Sequence, residues 1–467
     1  MLKLPDERDQ VLVAKVREAG QEHVLAHWDG LDPAGQRALL DQLGEVDLRQ
    51  VARLARLIDE KHAAPTGELS PIPLLEPDAA RRSALAERGW EALRAGKVAV
   101  LLVAGGQGTR LGWAGPKGTY PVAPVSGKSL FQLFAEQLAA TSHQAGVRVP
   151  WLIMTSRENR AETEAYFKDR GWFGLPPEQV RFLVQKDLPA VDAGGKMLLA
   201  EPGKIATSPN GHGGTLEALR SSGALDDLAA AGCEHLFYFQ VDNPLCRVAD
   251  PVFLGAHLEA GADVSTKVVE KTDPAEKIGL MVQRDGRPAV VEYTEMSPAQ
   301  QALRDPDGRL TYRAGNTAIH ALSLAFLARL ASEGFELPWH LAHKAVPFVD
   351  AGGQLQQPAA PNAWKFEMFI FDLFPQARSH VALVVDRAEE FEPLKNKSGP
   401  YSPETVRQAQ SERHRRWLER AGRRVEAEAV EVSPLVALDA EELARKLPEL
   451  DLRPIGGRLL LEAQSSG

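Results

Sequence analysis

Leu101-Leu-Val-Ala-Gly-Gly-Gln-Gly-Thr-Arg-Leu-Gly112, with Pro116-Lys-Gly118 just behind it, decides how the rest of this chain is read. An apolar run, Val98 to Val103, stops abruptly in a loop that holds Gly105, Gly106 and Gly108. Glycines carry no Cβ, so backbone N–H groups there can close on a flat base or an anion. Arg110 and Lys117 stand within reach of the loop and can neutralise phosphate charge. The loop reads as nucleotide-handling, yet it is neither of the two commonest kinds. A G-x-G-x-x-G pattern begins at Gly106 and Gly108 but meets Leu111 where its third glycine belongs. Gly127-Lys128-Ser129 imitates the end of a P-loop, with Val122 in place of the first glycine.

Around this loop the chain changes character. Residues 1–96 read as helical. Asp32-Pro33 is an N-cap followed by proline at the first helical position, and Val51, Leu54, Ala55 and Ile58 form one apolar helix face with Asp47 as its cap. A loop rich in Pro, Gly and Ser, Ala64 to Pro77, leads to a second helix ending at Gly96. From Lys97 onward, short β-rich runs alternate with helices, the pattern of an α/β layer architecture. The expected strands are Val98–Val103, Trp151–Thr155, Val180–Val184, Leu236–Val241, Val264–Val269 and Ile278–Val282. Ser129 and Gln132 are spaced as a capping box for the helix that buries Phe131, Phe134, Ala135 and Leu138. The division expected is a helical N-terminal domain (1–96), a central catalytic α/β domain (97–386) and a small C-terminal domain (387–467). Ligands of open α/β sheets sit at the carboxyl ends of strands, where both Gly105–Arg110 and Asp242 fall.

The bulk numbers exclude several classes. The 467 residues suffice for two to four domains at roughly 100–200 residues each. A formal net charge of −9 argues against a general nucleic-acid binder, so phosphate binding must come from a few placed cations. Cys233 and Cys246 are the only cysteines, which suits a reducing compartment. Met1-Leu-Lys-Leu-Pro-Asp-Glu-Arg-Asp has no apolar signal core, and no apolar run approaches the ~18 residues of a membrane span. A cytoplasmic protein without membrane contact is expected. His340-Leu-Ala-His343 has helix spacing but no third ligand, and neither a G-x-S-x-G elbow nor a CxxC pair is found, so zinc, nucleophilic and redox catalysis lack support.

Further motifs follow in order: Asn210-Gly-His-Gly-Gly214, Val241-Asp-Asn243, Glu292-Tyr293, Ala314-Gly-Asn316 and Pro393-Leu-Lys-Asn396. With the glycine loop, this set resembles the eukaryotic-type UDP-sugar pyrophosphorylases, most closely the UDP-N-acetylhexosamine pyrophosphorylases. The likeness runs from the Trp28 region to Val430-Glu-Val-Ser-Pro434. It implies a Rossmann-like, GT-A-like nucleotidyltransferase fold, a mixed central sheet with helices on both faces.

It also implies a uridylyltransferase that makes UDP-sugar and pyrophosphate from UTP and a sugar 1-phosphate, with N-acetylglucosamine 1-phosphate as first choice. Such a reaction needs no covalent intermediate but must gather several anionic oxygens, so charge neutralisation and in-line positioning are the main tasks. By resemblance, Arg110 and Lys117 hold the phosphates that leave as pyrophosphate, and Lys395 and Lys365 serve as cations near the phosphates. Val103, Ala104, Gly105, Gly106, Gln185, Gly211, His212 and Asp242 are the implied nucleotide contacts, with Gln185 on the uracil edge. Glu292, Tyr293 and Asn316 match positions that hold the sugar. Asp242 closes an apolar strand, and a carboxylate there suits Mg²⁺ (or Mn²⁺), which prefers few protein ligands plus substrate phosphates. His212 stands where the N-acetylhexosamine enzymes carry Asn and matches the Gly-His-Gly of the UDP-glucose branch, so UDP-glucose or broad sugar specificity is the alternative. A UDP-sugar-dependent glycosyltransferase is the rival from another class, but its usual D-x-D is absent, Asp242 being followed by Asn243 and Pro244. A monomer or weak homodimer is expected.

Overall fold

Val98-Ala-Val-Leu-Leu-Val103 is apolar at every position because it is a strand covered on both faces, with Val98 to Leu102 all buried. The structure, a computed structural model, describes residues 4, 6–59 and 67–463. Residues 64–66 of the expected loop, and residues 1–3 and 5 of the N-terminal stretch, lie outside the described residues.

The chain folds as two compact units, each woven from three stretches. The larger comprises Gly67–Val184, Leu216–Phe335 and Leu373–Gly467. Its centre is an eleven-stranded mixed sheet. In chain order the strands are β1 (Leu69–Pro71), β2 (Leu74–Leu75), β3 (Val98–Val103), β4 (Trp151–Thr155), β5 (Val180–Val184), β6 (His235–Gln240), β7 (Val264–Glu270), β8 (Leu280–Arg284), β9 (Arg287–Val291), β10 (Ala314–Ser323) and β11 (His380–Val384). The spatial order is β2-β11-β7-β10-β6-β3-β4-β5, with β8 pairing β1, β9 and β10. The run β6-β3-β4-β5 is parallel, whereas β10 is antiparallel to both β6 and β7. The mixed α/β architecture matches the expectation. Expected strands at 98–103, 151–155 and 180–184 agree to the residue, those starting at 236 and 278 are displaced by one and two residues, and β1, β2, β9, β10 and β11 are additional.

The helices Ala79–Arg94, Leu130–Ala145 and Pro251–Glu259 share one apolar core with Val98, Val100, Leu102, Phe237 and Phe239. Ala79–Arg94 and Pro251–Glu259 touch backbone to backbone: a Cβ on Gly89 would sit 1.9 Å from the Pro251 carbonyl oxygen, and one on Gly255 1.8 Å from that of Leu85. This contact ties Ala79–Arg94 to the sheet, so the units cut across the sequence division at residue 96. Ser129 caps its helix as expected, accepting from the Gln132 N–H, but the Gln132 side chain donates to Glu136 rather than completing a capping box. Lys128, the residue that imitated a P-loop lysine, is tied to Glu136 at 3.0 Å and Glu462 at 3.3 Å.

Toward the C-terminus, the helix Pro403–Arg420 packs with the parallel pair Ala429–Val432 and Arg458–Leu461 around Trp417, Leu418, Val430 and Leu459. Glu431, 1 % exposed, accepts hydrogen bonds from the Val125 and Ser126 N–H groups and the Ser126 hydroxyl, which anchors this layer to the loop before Ser129.

The smaller unit comprises Met1–Thr66, Gln185–Thr215 and Glu336–Asp372. Helices Glu7–Glu18, Pro33–Glu45 and Leu48–Asp59 cover a core of Leu188, Val191, Met197, Ile205 and Phe366. Asp32 and Asp47 cap their helices as expected.

His257 in the larger unit is fully buried, and its Nδ1 is 2.8 Å from the Ser265 hydroxyl. Burial, helped by His235 and His380, pushes its pKa from 6.5 down to about 3. The unfolded chain therefore binds this proton at a pH where the fold refuses it, so the stability it contributes is present above pH 6.5 and is lost as the pH falls toward 3. Between pH 7 and pH 5 this one group should remove roughly 2 kcal/mol. Denaturant melts at the two pH values should show the loss, and a His257→Gln protein should show a smaller one. An equal loss in both proteins would sink the attribution to His257.

Candidate active site

The glycine loop is held by its own backbone. The Ala104 N–H donates to the Met154 carbonyl at 2.8 Å, and Asn159 Nδ2 donates to the Ala104 carbonyl at 2.9 Å, which fixes the exit from β3. The Gly108 N–H bonds the Gly115 carbonyl (2.9 Å), and the Lys117 N–H bonds the Gly106 carbonyl (3.1 Å), so the loop closes on itself. Its glycines do different work. A Cβ on Gly108 would lie 2.7 Å from Trp113 Cβ, and one on Gly118 2.2 Å from the Phe131 ring, so these two are packing requirements. A Cβ on Gly106 would meet nothing within 4 Å, which leaves that stretch of backbone open to a ligand.

Asp242 is brought to the same place by parallel pairing. Gln240 of β6 lies opposite Val103 of β3, and the Val241 N–H donates to the Val103 carbonyl at 3.1 Å. Lys117 Nζ is 4.0 Å from Asp242 Oδ2, and the two side chains are 16 % and 18 % exposed. Burial lowers the Lys117 pKa; Asp242 opposes this, while Lys395 and Arg110 lower it further. Lys117 thus feels one carboxylate and two further cations. Lys395 arrives there because the Leu394 N–H donates to the Asp242 carbonyl at 2.7 Å. Such a cluster is poised for a polyanion, which would relieve the mutual repulsion.

Glu292 and Asn316 converge on Gly279, a residue the motifs did not single out. The Asn316 N–H donates to the Gly279 carbonyl at 2.8 Å, and Glu292 Oε1 lies 3.5 Å from where a Gly279 Cβ would be. The strands impose this: Leu280 stands opposite Val291 on β9 and Gly315 on β10. Glu292 also caps the turn Tyr293–Glu295, whose Glu295 carboxylate accepts from the Glu292 N–H at 2.9 Å. Asn316 Oδ1 accepts from the Ala318 N–H at 3.0 Å.

In the smaller unit, Gln185 is 4 % exposed and its Nε2 donates to the Gly211 carbonyl. The turn Asn210–Gly214 needs its glycines because residues 367–369 cross it. A Cβ on Gly211 (φ 82°) would lie 2.4 Å from the Met368 carbonyl oxygen, and one on Gly213 2.6 Å from the Met368 carbonyl carbon. Two amides of this turn are engaged within the protein: the Gly213 N–H donates to the Met368 carbonyl and the Gly214 N–H to the Gly211 carbonyl. His212 Nδ1 accepts from the Ile370 N–H at 3.1 Å, and its ring stacks on Phe369 with centroids 5.3 Å apart. Phe369 and Phe371 were not legible as ring partners of His212, since nothing in their spacing marks them. Lys365 is half-buried on the strand Ala363–Glu367, which leads directly to them.

His340 and His343 lie on a strand, His340–Lys344, not on a helix, so they point to opposite faces. His340 bonds Asp372 at 2.7 Å and His343 stacks on Trp364. Among the described residues no cluster of three or more His, Cys, Asp or Glu could cage a metal. Cys233 and Cys246 are free and buried, and burial pushes both thiols up. No helix among the described residues is long and apolar enough to cross a membrane.

Residues 55–443 match the UTP–glucose-1-phosphate uridylyltransferase family. The chain is 42 % identical over 441 residues to UDP-N-acetylhexosamine pyrophosphorylase-like protein 1 of Homo sapiens, covering 89 % of this chain and 86 % of that one. It is 37 % identical over 455 residues to UDP-N-acetylglucosamine pyrophosphorylase of Saccharomyces cerevisiae, covering 92 % and 95 %. Among solved structures it resembles the uridine diphosphate N-acetylglucosamine pyrophosphorylase of Trypanosoma brucei, with a TM-score of 0.84 at 26 % identity and full coverage of both chains.

Proposed function

The chain belongs to the UTP–glucose-1-phosphate uridylyltransferase family, and we propose that it joins UTP to N-acetylglucosamine 1-phosphate, giving the UDP-sugar and pyrophosphate. The observation that carries this reading is Lys117 4.0 Å from Asp242 beside the glycine loop, with the Leu394 N–H bonded to the Asp242 carbonyl next to Lys395 and with the charges of Arg110 and Lys395 both acting on Lys117. A phosphate oxygen of the sugar 1-phosphate attacks the α-phosphorus of UTP as the bond to the bridging oxygen breaks, and pyrophosphate leaves with that electron pair. Arg110 and Lys117 offset the charge that builds on the leaving group, and Lys395 the charge at the α-phosphate. Val103, Ala104, Gly105 and Gly106 supply the backbone against the nucleotide, the open face of Gly106 giving room for it.

Asp242 fits a divalent cation of one kind: a lone half-buried carboxylate suits Mg²⁺ or Mn²⁺ whose other ligands are substrate phosphates and water. Such an ion supplies charge neutralisation on the phosphates when bound. Gln185, Gly211, His212 and Lys365 are assigned nucleotide contacts, and Glu292, Tyr293 and Asn316 sugar contacts. A net charge of −9 and two free buried cysteines support a cytoplasmic protein whose ligands are small phosphates, not nucleic acid; a monomer or weak homodimer is proposed.

Pyrophosphate release from UTP with N-acetylglucosamine, N-acetylgalactosamine and glucose 1-phosphates tests the reading. N-acetylglucosamine 1-phosphate is expected to exceed glucose 1-phosphate in kcat/KM by about 10- to 200-fold, since a pocket shaped for the acetamide loses roughly 1–3 kcal/mol without it. A tenfold preference for glucose 1-phosphate would refute the sugar assignment and leave uridylyl transfer standing. Consumption of a UDP-sugar without pyrophosphate chemistry would favour a glycosyltransferase. His212, matching the glucose branch, motivates the second reading, and His212→Asn separates them: a nucleotide role alters KM for UTP, a sugar role alters the ratio between sugars.

A further inference from the structure

Three hydrogen bonds lay residues 390–394 alongside the residues that follow β6. Asn243 Nδ2 donates to the Glu390 carbonyl at 2.7 Å, and the Glu392 N–H donates to Asn243 Oδ1 at 3.2 Å. The Leu394 N–H then donates to the Asp242 carbonyl at 2.7 Å. The Asn243 amide, 3 % exposed, thus stands in for a strand residue by offering a donor and an acceptor in one plane.

Both ends of this segment are fixed independently. Upstream, the Glu390 carboxylate binds Lys267, whose ammonium is fully buried and also 2.8 Å from Asp250. A buried ion group of this kind contributes little net stability when intact and is very damaging to break, so it holds one geometry. Downstream, the Lys395 and Asn396 N–H groups both donate to the Tyr401 carbonyl, at 2.8 and 3.1 Å, and Tyr401 itself is left-handed (φ 60°). Lys395 therefore hangs from a backbone that is pinned on either side of it, while its own side chain is exposed.

We infer that Asn243, backed by the buried Lys267–Glu390 pair, is a positioning residue that sets Lys395 against Asp242 and Lys117 for uridylyl transfer. The inference rests on the reading of Lys395 as a phosphate-binding cation. A lysine reaches its target on a flexible four-carbon stem, so its backbone anchor decides where the charge is delivered. A shift of about 1 Å from a change distant from the reacting atoms can lower a rate about 10²-fold.

The test compares wild type, Lys395→Ala, Asn243→Asp and the double variant. Asp at 243 keeps the size and the acceptor for the Glu392 N–H but sets a carboxylate oxygen against the Glu390 carbonyl. Asn243→Asp is expected to lower kcat about tenfold or more with KM for UTP within about threefold, because the affected charge acts on the transition state. In the Lys395→Ala background it should cost less than about threefold further, because two residues acting through one contact are not additive. Wild-type kcat in Asn243→Asp, or losses that multiply in the double variant, would overturn the inference. If Lys395→Ala alone keeps wild-type activity, the reading of Lys395 fails instead. Should Asn243→Asp not fold, Asn243→Ser, which retains one uncharged hydrogen-bonding group, must show the same non-additivity.

Discussion

Lys117→Ala is expected to lower kcat/KM for UTP by about 10- to 150-fold, which is roughly 1.5–3 kcal/mol of transition-state stabilisation from one charge-assisted phosphate contact. The size follows from where the ammonium sits. It is mostly buried, one carboxylate stands 4.0 Å away, and Arg110 and Lys395 both press on it. In the free enzyme burial is the largest disturbance, and the cation is held against its preference. A polyphosphate reverses that balance, so the charge matters more here than it would on a surface. The lowered pKa adds a second expectation with a definite sign. As pH rises Lys117 loses its proton earlier than an ordinary lysine, so kcat/KM for UTP should decline on the alkaline side, and Lys117→Arg should move that decline to higher pH. Steady-state rates across pH check both. A Lys117→Ala protein within about threefold of wild type, only ~0.65 kcal/mol, would remove Lys117 from the transition state.

How much of this was legible depends on distance along the chain. β3, β4 and β5 are buried parallel strands, and such strands read as unbroken apolar runs, Val98–Val103 most plainly. β10 is the longest strand of the sheet yet carries no clear strand signal, because Ala314-Gly-Asn-Thr-Ala-Ile-His-Ala-Leu-Ser323 is poor in β-branched and aromatic residues. Its conformation is imposed by β6 and β7 on either side, nonlocal neighbours that no window contains. β9 did carry a signal: Asp285-Gly286, both at positive φ, is a hairpin turn between β8 and β9. His340-Leu-Ala-His343 shows the opposite case: its spacing is that of a helix, but residues 363–367 pair it as a strand.

The site divides in the same way. Arg110, Lys117 and Asp242 could be placed together from sequence, because each follows a strand in a sheet whose ligands gather at strand ends. Lys395 could be named only by motif. What brings it to Asp242 is a backbone bond from Leu394 and the amide of Asn243, contacts made across roughly 150 residues of chain that periodicity cannot see. Gly279, whose carbonyl and bare Cα face lie between Asn316 and Glu292, looked like an ordinary residue at the start of a strand.

Asp242→Ala should reduce kcat/KM about 10²-fold or more at saturating Mg²⁺, a loss of roughly 2.7 kcal/mol or more. Two effects combine in that figure. The proposed ion loses its protein ligand and is left to the substrate phosphates alone. Lys117 loses the one group that opposes its depressed pKa, while Arg110 and Lys395 continue to lower it. Removing the carboxylate therefore weakens the metal and the neighbouring cation together, which is why this effect should exceed that of Lys117→Ala. The two contributions separate by titration. Asp242→Ala and Asp242→Asn should both need more Mg²⁺ for half-maximal rate, whereas Lys117→Ala should leave the Mg²⁺ midpoint near wild type and change the dependence on UTP. An unchanged Mg²⁺ midpoint in both Asp242 variants would rule out the carboxylate as a metal ligand. Full turnover of the unaltered enzyme in excess chelator, with carried-over metal excluded, would remove the ion itself, and the carboxylate would then act only by holding Lys117 charged.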